Sequence, residues 1–211
     1  MQPELLIFQL AVLIFSIMIH EVSHGAVAFY LGDDTAKKAG RLTLNPLKHL
    51  DPFGSIILPA LLAIPLLFGG RSIIVGWAKP VPYDPRQLKD PKTGAGLIAL
   101  AGPASNLIIA LVFAIFLRLA TAVDNMALAS AFQIIILLNL VLAIFNLFPV
   151  PPLDGSKILF WLMPRRWAPI EAFLERNALI FLLAVIFLGL PLLQFIVSFL
   201  YVFLLTIVGL S

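Results

Sequence analysis

The sequence predicts an all-α polytopic membrane protein with about four clear transmembrane helices, a possible re-entrant segment and a short β element in the first cytoplasmic loop. Of its 211 residues, 61% are hydrophobic and 12% are charged, which is about half the charge of an ordinary soluble domain. Several apolar runs reach the roughly 20 residues needed to cross a bilayer. Lysine and arginine are concentrated in three loops, as membrane topology requires.

Four segments of the chain are predicted to span the membrane, namely 5–31, 94–120, 130–148 and 177–210. Pro191 lies inside the last segment and is expected to kink or break it, because proline cannot continue the helical hydrogen bonds. Another apolar block, at 53–68, is short and contains two prolines. It is predicted to be re-entrant, entering and leaving on one side.

The three basic loops, 32–52, 69–93 and 149–176, determine the expected orientation. The positive-inside rule places all three in the cytoplasm, which the re-entrant segment allows. The first helix then runs from outside to inside. At about 1.5 Å per residue, His20 lies roughly 15 Å before Tyr30, an aromatic residue suited to the interface. The polar group around His20 is therefore predicted to lie in the cytoplasmic half of the bilayer.

The first basic loop contains the sequence AGRLTLNPL, which favours a short strand at 41–44. In an extended chain Leu42 and Leu44 share one side, Arg41 and Thr43 share the other, and Asn45-Pro46 ends the segment. The alternative is an ordinary loop whose two leucines rest on the membrane surface.

The run HEVSHG near the end of the first apolar segment contains the residues that indicate chemistry. On a helix His20 and His24 are four residues apart and project from one face, where both can ligate one metal ion. Glu21 is then placed to take a proton from a water molecule, as in zinc hydrolases. The alternative is a pair of histidines that bond to the backbone or line a polar cavity.

Two histidines are fewer than the three protein ligands usual in a catalytic zinc site. His49 is expected at the surface and not as a ligand. Asp154, in FNLFPVPPLDGSKIL, follows the third clear span at its cytoplasmic end, and Gly155 permits close backbone approach. By local chemistry Asp154 is equally suited to ligate the metal and to cap a helix that starts at this point.

The two motifs together resemble those of the site-2 protease family of intramembrane zinc metalloproteases. HEVSHG matches the family's HExxH pattern, and NLFPVPPLDG matches its N-x-x-P-x-x-x-L-D-G segment at Asn146, Pro149, Leu153, Asp154 and Gly155. A G-P-x-x-N stretch is matched by Gly102, Pro103 and Asn106. The chain resembles the short prokaryotic form, without a PDZ domain or a helix before the HExxH helix.

This resemblance implies an intramembrane zinc endopeptidase that cleaves in or near transmembrane segments of membrane proteins. It implies one Zn²⁺ held by His20, His24 and Asp154, with Glu21 as general base. It also suggests that Asn146 positions the substrate or stabilises the oxyanion, whereas Asn106 and Asn139 are expected to form hydrogen bonds between helices. Residues 1–211 would form one domain with a catalytic core at about 5–155, and an extended 41–44 could hold the unwound substrate by edge pairing.

Two other functions use the same residues. One is a protein that binds or transports a metal, and the other is a silent homologue that binds transmembrane segments without cutting them. Expected partners are a transmembrane substrate and the lipid bilayer, whereas the concentration of basic residues in loops does not favour nucleic acid. The chain has no cysteine, which excludes thiolate catalysis and cysteine metal sites. Zinc is the preferred metal, although the same ligands suit iron or cobalt.

Overall fold

The computed structural model describes residues 3–49 and 79–210, and most of them are helical. The α-helices in chain order are α1 (Pro3–Tyr30), α2 (Thr35–Lys38), α3 (Pro91–Ala122), α4 (Met126–Asn146), α5 (Asp154–Leu162), α6 (Ala168–Arg176), α7 (Ala178–Leu188) and α8 (Leu190–Ile207). Short 3-10 turns form at Pro46–Lys48, Pro85–Gln87 and Arg165–Trp167. The predicted re-entrant block at 53–68 lies outside the described residues.

Four helices, α1, α3, α4 and α8, are long and apolar enough to cross a membrane. The first three agree with the predicted spans to within a few residues. The predicted segment 177–210 is two helices, because α7 ends at Leu188 and α8 begins at Leu190 with Pro191 in its first turn. A proline there loses no hydrogen bond, since the first N–H groups of a helix have no partner within it.

The helix α3 is central to the fold and packs against α1, α4 and α5. Its buried side is mostly small: Gly94, Gly96, Ala99, Gly102, Ala110, Ala114 and Ala120. Small residues let helix backbones approach closely, and this close approach lets helices associate in lipid. Farther along, α3, α4 and α8 share an apolar core that includes Leu117, Ile136, Leu140 and Leu193.

The predicted strand at 41–44 is wrong, because these residues form an irregular loop and the described part of the chain contains no β-strand. Local hydrogen bonds occupy its polar groups. Thr43 Oγ1 accepts from the Asn45 N–H at 3.2 Å, and Asn45 Oδ1 accepts from the Leu47 N–H at 3.1 Å. Such bonds between side chain and backbone compete with strand pairing. Leu44 is 65% exposed, so the two leucines do not share a packed face.

His49 is also placed differently from the prediction, because it is buried and not at the surface. Its ring Nε2 lies 2.8 Å from the Thr43 carbonyl oxygen, and its own carbonyl accepts the Lys79 N–H at 2.8 Å. His49 therefore joins the first loop to the segment that leads into α3.

The end of α1 and the start of α3 lie on the same side of the helices. Asp33 Oδ2 accepts the Asp84 N–H at 2.6 Å, and Gln87 Nε2 donates to Thr35 Oγ1 at 2.9 Å. Residues 79–84, here called the strap, run as irregular chain between His49 and the turn before α3. The chain thus leaves α1 and returns to α3 on one side, as the predicted orientation requires.

Candidate metal centre

The helix α1 places the two histidines of HEVSHG one turn apart on the side that faces α3. The rings of His20 and His24 are nearly perpendicular, with centroids 4.7 Å apart. His20 is buried and His24 is partly buried, although both lie in a helix with much apolar surface exposed. The helical spacing of four residues thus turns both imidazoles towards one point, as predicted.

Asp154 reaches the histidines from the far end of the chain. Its Oδ2 atom lies 3.0 Å from His20 Nε2 and 3.2 Å from His24 Nε2. Asp154 is the first residue of α5 and does not cap it, because the N-cap position is Leu153. A Cβ on Gly155 would lie 2.2 Å from the Leu147 carbonyl oxygen. Only glycine lets the start of α5 press against the turn after α4 and bring the carboxylate to this place.

The G-P-x-x-N stretch of α3 forms the wall opposite the two histidines. A Cβ on Gly102 would lie 2.5 Å from His20 Nε2 and 2.5 Å from His24 Nε2. One turn earlier the Ile98 carbonyl lies 2.6 Å from His24 Nδ1, and one turn later Asn106 Oδ1 lies 2.6 Å from His20 Nδ1. The helix α3 therefore leaves space for both imidazole rings and supplies one hydrogen-bond acceptor to each.

These contacts determine where the imidazole protons lie. The Ile98 carbonyl can only accept, so His24 must donate from Nδ1, and a neutral imidazole then carries its lone pair on Nε2. If Asn106 presents its oxygen, His20 is fixed in the same way. Both Nε2 lone pairs then point at Asp154 Oδ2, which is itself a lone-pair donor. Three acceptors this close repel one another unless a cation lies among them.

The donor set fits a zinc ion on these grounds. Two imidazole nitrogens and one carboxylate oxygen are common ligands of catalytic zinc. Ligand atoms at about 2.0–2.1 Å from one tetrahedral ion would be roughly 3.3 Å apart. The observed separations from Asp154 Oδ2 to the two Nε2 atoms are 3.0 and 3.2 Å, close to that spacing.

Glu21 lies beside this group, and its ligand atoms are within 4.8 Å of those of His20 and His24. Two sets of three ligands can therefore be drawn, with either Glu21 or Asp154 as the carboxylate. Asp154 is the better third ligand, because one of its oxygens contacts both Nε2 atoms, whereas Glu21 Oε2 accepts the Val81 N–H at 2.9 Å. Glu21 is thus held next to the set, where it can act on a bound water.

The strap that contacts Glu21 is joined at Asp84 to the turn before α3. Arg86 donates to Asp84 Oδ1 and Oδ2 at 2.9 Å each, and these hydrogen bonds lower the pKa of the Asp84 carboxyl below its usual range. The Asp84 carboxylate also accepts the Arg86 N–H that begins the turn before α3. The Asp84 side chain is therefore the N-cap of that turn.

Of the predicted site residues, the structure brings together His20, Glu21, His24 and Asp154 and leaves Asn146 apart. The Asn146 amide donates to the Leu142 carbonyl of its own helix at 2.9 Å, and no hydrogen bond among the described residues joins it to the group. Asn106 and Asn139 do bond between helices, at 2.9 Å, which confirms that prediction.

Sequence reasoning missed the two backbone groups that contact the site, the Ile98 carbonyl and the Val81 N–H. A backbone atom has no residue type to reveal it. The sequence also matched Gly102 to a motif without a physical reason for the glycine. The spacing of Gly102 and Asn106 by one helical turn was a usable signal that both face the histidines.

Comparison with known proteins gives one family. Residues 118–189 match the model of the family described as "Peptidase family M50". The chain is 46% identical over 159 residues to "Putative zinc metalloprotease YwhC" of Bacillus subtilis (strain 168), covering 72% of this chain and 67% of that protein. It is 30% identical over 140 residues to the Rip2 protein of Mycolicibacterium smegmatis, whose name carries the same description.

The Rip2 match covers 66% of this chain and 51% of Rip2, so the chain spans about half of that relative's length. A shorter match, 42% identical over 73 residues, joins 35% of the chain to 37% of the MJ0611 protein of Methanocaldococcus jannaschii. No solved structure matches the chain. The identity to YwhC extends over most of both proteins, and the chain therefore belongs to peptidase family M50, the site-2 protease family.

Proposed function

We propose that this protein is a zinc metalloendopeptidase that hydrolyses peptide bonds in or near the transmembrane segments of membrane proteins. The observation that carries the proposal is the meeting of His20 Nε2, His24 Nε2 and Asp154 Oδ2, with Glu21 beside them. Membership of peptidase family M50 supports the reaction type, and the zinc metalloprotease names of the relatives support the metal.

In this proposal His20, His24 and Asp154 hold the ion and Glu21 acts as general base. When bound, zinc lowers the pKa of water to about 7 and polarises a carbonyl group. Glu21 takes the proton of the attacking water on a carboxylate oxygen and passes it to the leaving amine. The Val81 N–H, bonded to Oε2 of Glu21, keeps the carboxylate turned towards the histidines.

The depth of the site supports a substrate within the membrane. His20 and His24 belong to the span Glu4–Tyr30, and His20 lies roughly 15 Å from its Tyr30 end at 1.5 Å per residue. A substrate helix shields its peptide bonds with its own hydrogen bonds, so the substrate must unwind locally before cleavage. The basic loops at that end of α1 indicate that the site opens towards the cytoplasm.

The test compares wild type with Glu21→Gln and Glu175→Gln, purified in detergent, on a panel of single-span membrane peptides. Glu175 is an exposed acid of α6 and is the matched control. Zinc content is measured in every sample. We expect zinc in all three proteins and cleavage by wild type and Glu175→Gln, with Glu21→Gln slower by about 10²–10⁴-fold, the usual contribution of general base catalysis.

Two results would contradict the proposal. If the wild-type protein binds no zinc, the proposed metal centre is wrong. If Glu21→Gln cleaves as fast as wild type, Glu21 is not the general base.

A further inference from the structure

A chain of polar side chains, buried in the middle of the helices, ends on His20. The amide of Asn106 in α3 bonds through Oδ1 to His20 Nδ1 at 2.6 Å and through Nδ2 to Asn139 Oδ1 in α4 at 2.9 Å. Asn139 Nδ2 donates to the Ile135 carbonyl at 2.8 Å and to Ser16 Oγ at 3.0 Å. Both asparagines are fully buried, at 0% exposure.

The direction of these hydrogen bonds is fixed at the far end. The Ile135 carbonyl can only accept, so the Asn139 atom that faces it must be the NH₂ group. The Asn139 oxygen then faces Asn106 and requires an N–H there. The Asn106 oxygen is left for His20, which must donate from Nδ1. The Ser16 carbonyl, 3.4 Å from Asn106 Nδ2, favours the same orientation.

We propose that Asn106 and Asn139 are positioning residues that lock His20 in the tautomer with its proton on Nδ1, which leaves the Nε2 lone pair free to bind the metal. The inference rests on the proposed metal centre for its purpose. The hydrogen-bond direction itself follows from the two backbone carbonyls, of Ile135 and Ser16.

The opposite orientation shows why a lock is useful. If the Asn106 amide turned round, its NH₂ group would face His20 Nδ1, and the imidazole proton would move to Nε2. That proton would point at Asp154 Oδ2, only 3.0 Å away, and would occupy the lone pair that the metal needs. Partners that fix the tautomer of a ligating histidine typically change metal affinity by about 10–100-fold.

The first test reads the tautomer without zinc. Histidine ring ¹⁵N NMR is suitable because the chain has three histidines, and His20 is assigned by replacing His24 and His49 in turn. In metal-free protein at mildly alkaline pH, we expect wild-type His20 to carry its proton on Nδ1. Asn139→Leu removes the acceptor for Asn106 without touching His20, and we expect the two His20 tautomers to mix.

The second test measures zinc affinity by competition with a chelator. We expect Asn106→Leu to bind zinc about 10–100-fold more weakly, and Asn106→Asp, which keeps an oxygen facing His20, to regain most of the affinity. Ser105→Ala is the matched control, because Ser105 precedes Asn106 and bonds to the Gly102 carbonyl of its own helix. Its zinc affinity should equal that of wild type.

The inference is overturned if wild-type His20 carries its proton on Nε2, or if Asn106→Leu and Asn139→Leu leave the tautomer unchanged. It is also overturned if Asn106→Leu binds zinc as tightly as wild type. Failure of wild type to bind zinc would instead contradict the proposed function, while the tautomer measurement would still report on the lock. A variant that merely unfolds is recognised by thermal unfolding of the metal-free protein. If Asn139→Leu unfolds, it is replaced by Asn139→Asp, which keeps the acceptor for Asn106. In Asn139→Asp we expect His20 to keep its proton on Nδ1.

Discussion

At the scale of single residues, Gly102 shows how close the helices are at the candidate metal centre. The rings of His20 and His24 occupy the space that a side chain at position 102 would fill. A histidine pair on one helix needs a neighbour this small, since any larger residue would displace the rings from Asp154. The glycine of G-P-x-x-N is thus explained by packing and the asparagine by hydrogen bonding.

Gly102→Ala is expected to lower zinc affinity by at least about tenfold, because its methyl group would lie 2.5 Å from ring atoms of both histidines. Gly94→Ala, two turns earlier in α3, is the matched control. Its methyl group would meet the end of the flexible Leu88 side chain at 2.7 Å, which can move aside. Zinc content after dialysis against a weak chelator measures the difference. Equal zinc retention in the two variants would contradict the role assigned to Gly102.

At the scale of structural elements, the strap shows how an irregular segment is held against α1. Two carboxylates that belong to α1 or directly follow it hold its backbone, Glu21 at Val81 and Asp33 at Asp84. Asp33 is completely buried and also accepts the Thr35 N–H at 2.9 Å. One side chain therefore satisfies backbone groups from both sides of the undescribed interval, and this arrangement fixes how the strap lies against Glu21.

Asp33→Ala is expected to lower the free energy of unfolding by about 1–3 kcal/mol, because the partly buried N–H groups of Thr35 and Asp84 lose their acceptor. The neighbouring Asp34→Ala is the control. Asp34 pairs with Lys38 at 2.8 Å on the surface, and such pairs contribute about 0–1 kcal/mol. Thermal unfolding of the two variants in one detergent compares them. A larger loss of stability in Asp34→Ala would show that Asp33 does not anchor the strap.

At the scale of the whole molecule, the described contacts bring several loops to one side. The Lys92 ammonium at the start of α3 donates to the Met163 carbonyl at the end of α5. The end of α1 contacts the turn before α3 through Thr35 and Gln87. The connection between α3 and α4, near Val123, lies at the other end of these helices. Most basic residues of the described chain lie at the first of these two ends, whereas Arg118 lies near the second.

Single cysteines in intact cells test this orientation, and the absence of natural cysteine gives a clean background. We expect Lys38→Cys and Arg86→Cys to react with an impermeant maleimide only after the membrane is opened, because the positive-inside rule predicts a cytoplasmic position for their basic loops. Val123→Cys, at a residue 72% exposed, should react in intact cells. Labelling of positions 38 and 86 from opposite sides would contradict the shared side of the two loops.

Much of the membrane architecture could be predicted from composition and spacing. Three spans were predicted closely because hydrophobic length is a local property, and the break at Pro191 follows from the covalent structure of proline. The strand at 41–44 was wrong because alternation of polar and apolar residues says nothing about competing bonds such as those of Thr43 and Asn45. The metal-ligand roles of His20, His24 and Asp154 stay predictions, although the structure brings the three together.

Short motifs and apolar runs identify the membrane class, three spans and the four residues that meet at the candidate metal centre, because this information is local. How the four residues meet depends on the packing of the helices. His20 and Asp154 are 134 positions apart, Glu21 and Val81 are 60 apart, and His20 and Asn106 are 86 apart. Contacts between distant segments determine the imidazole tautomers, the space at Gly102 and the hydrogen bond from the strap to Glu21. Such contacts exist only when the helices pack.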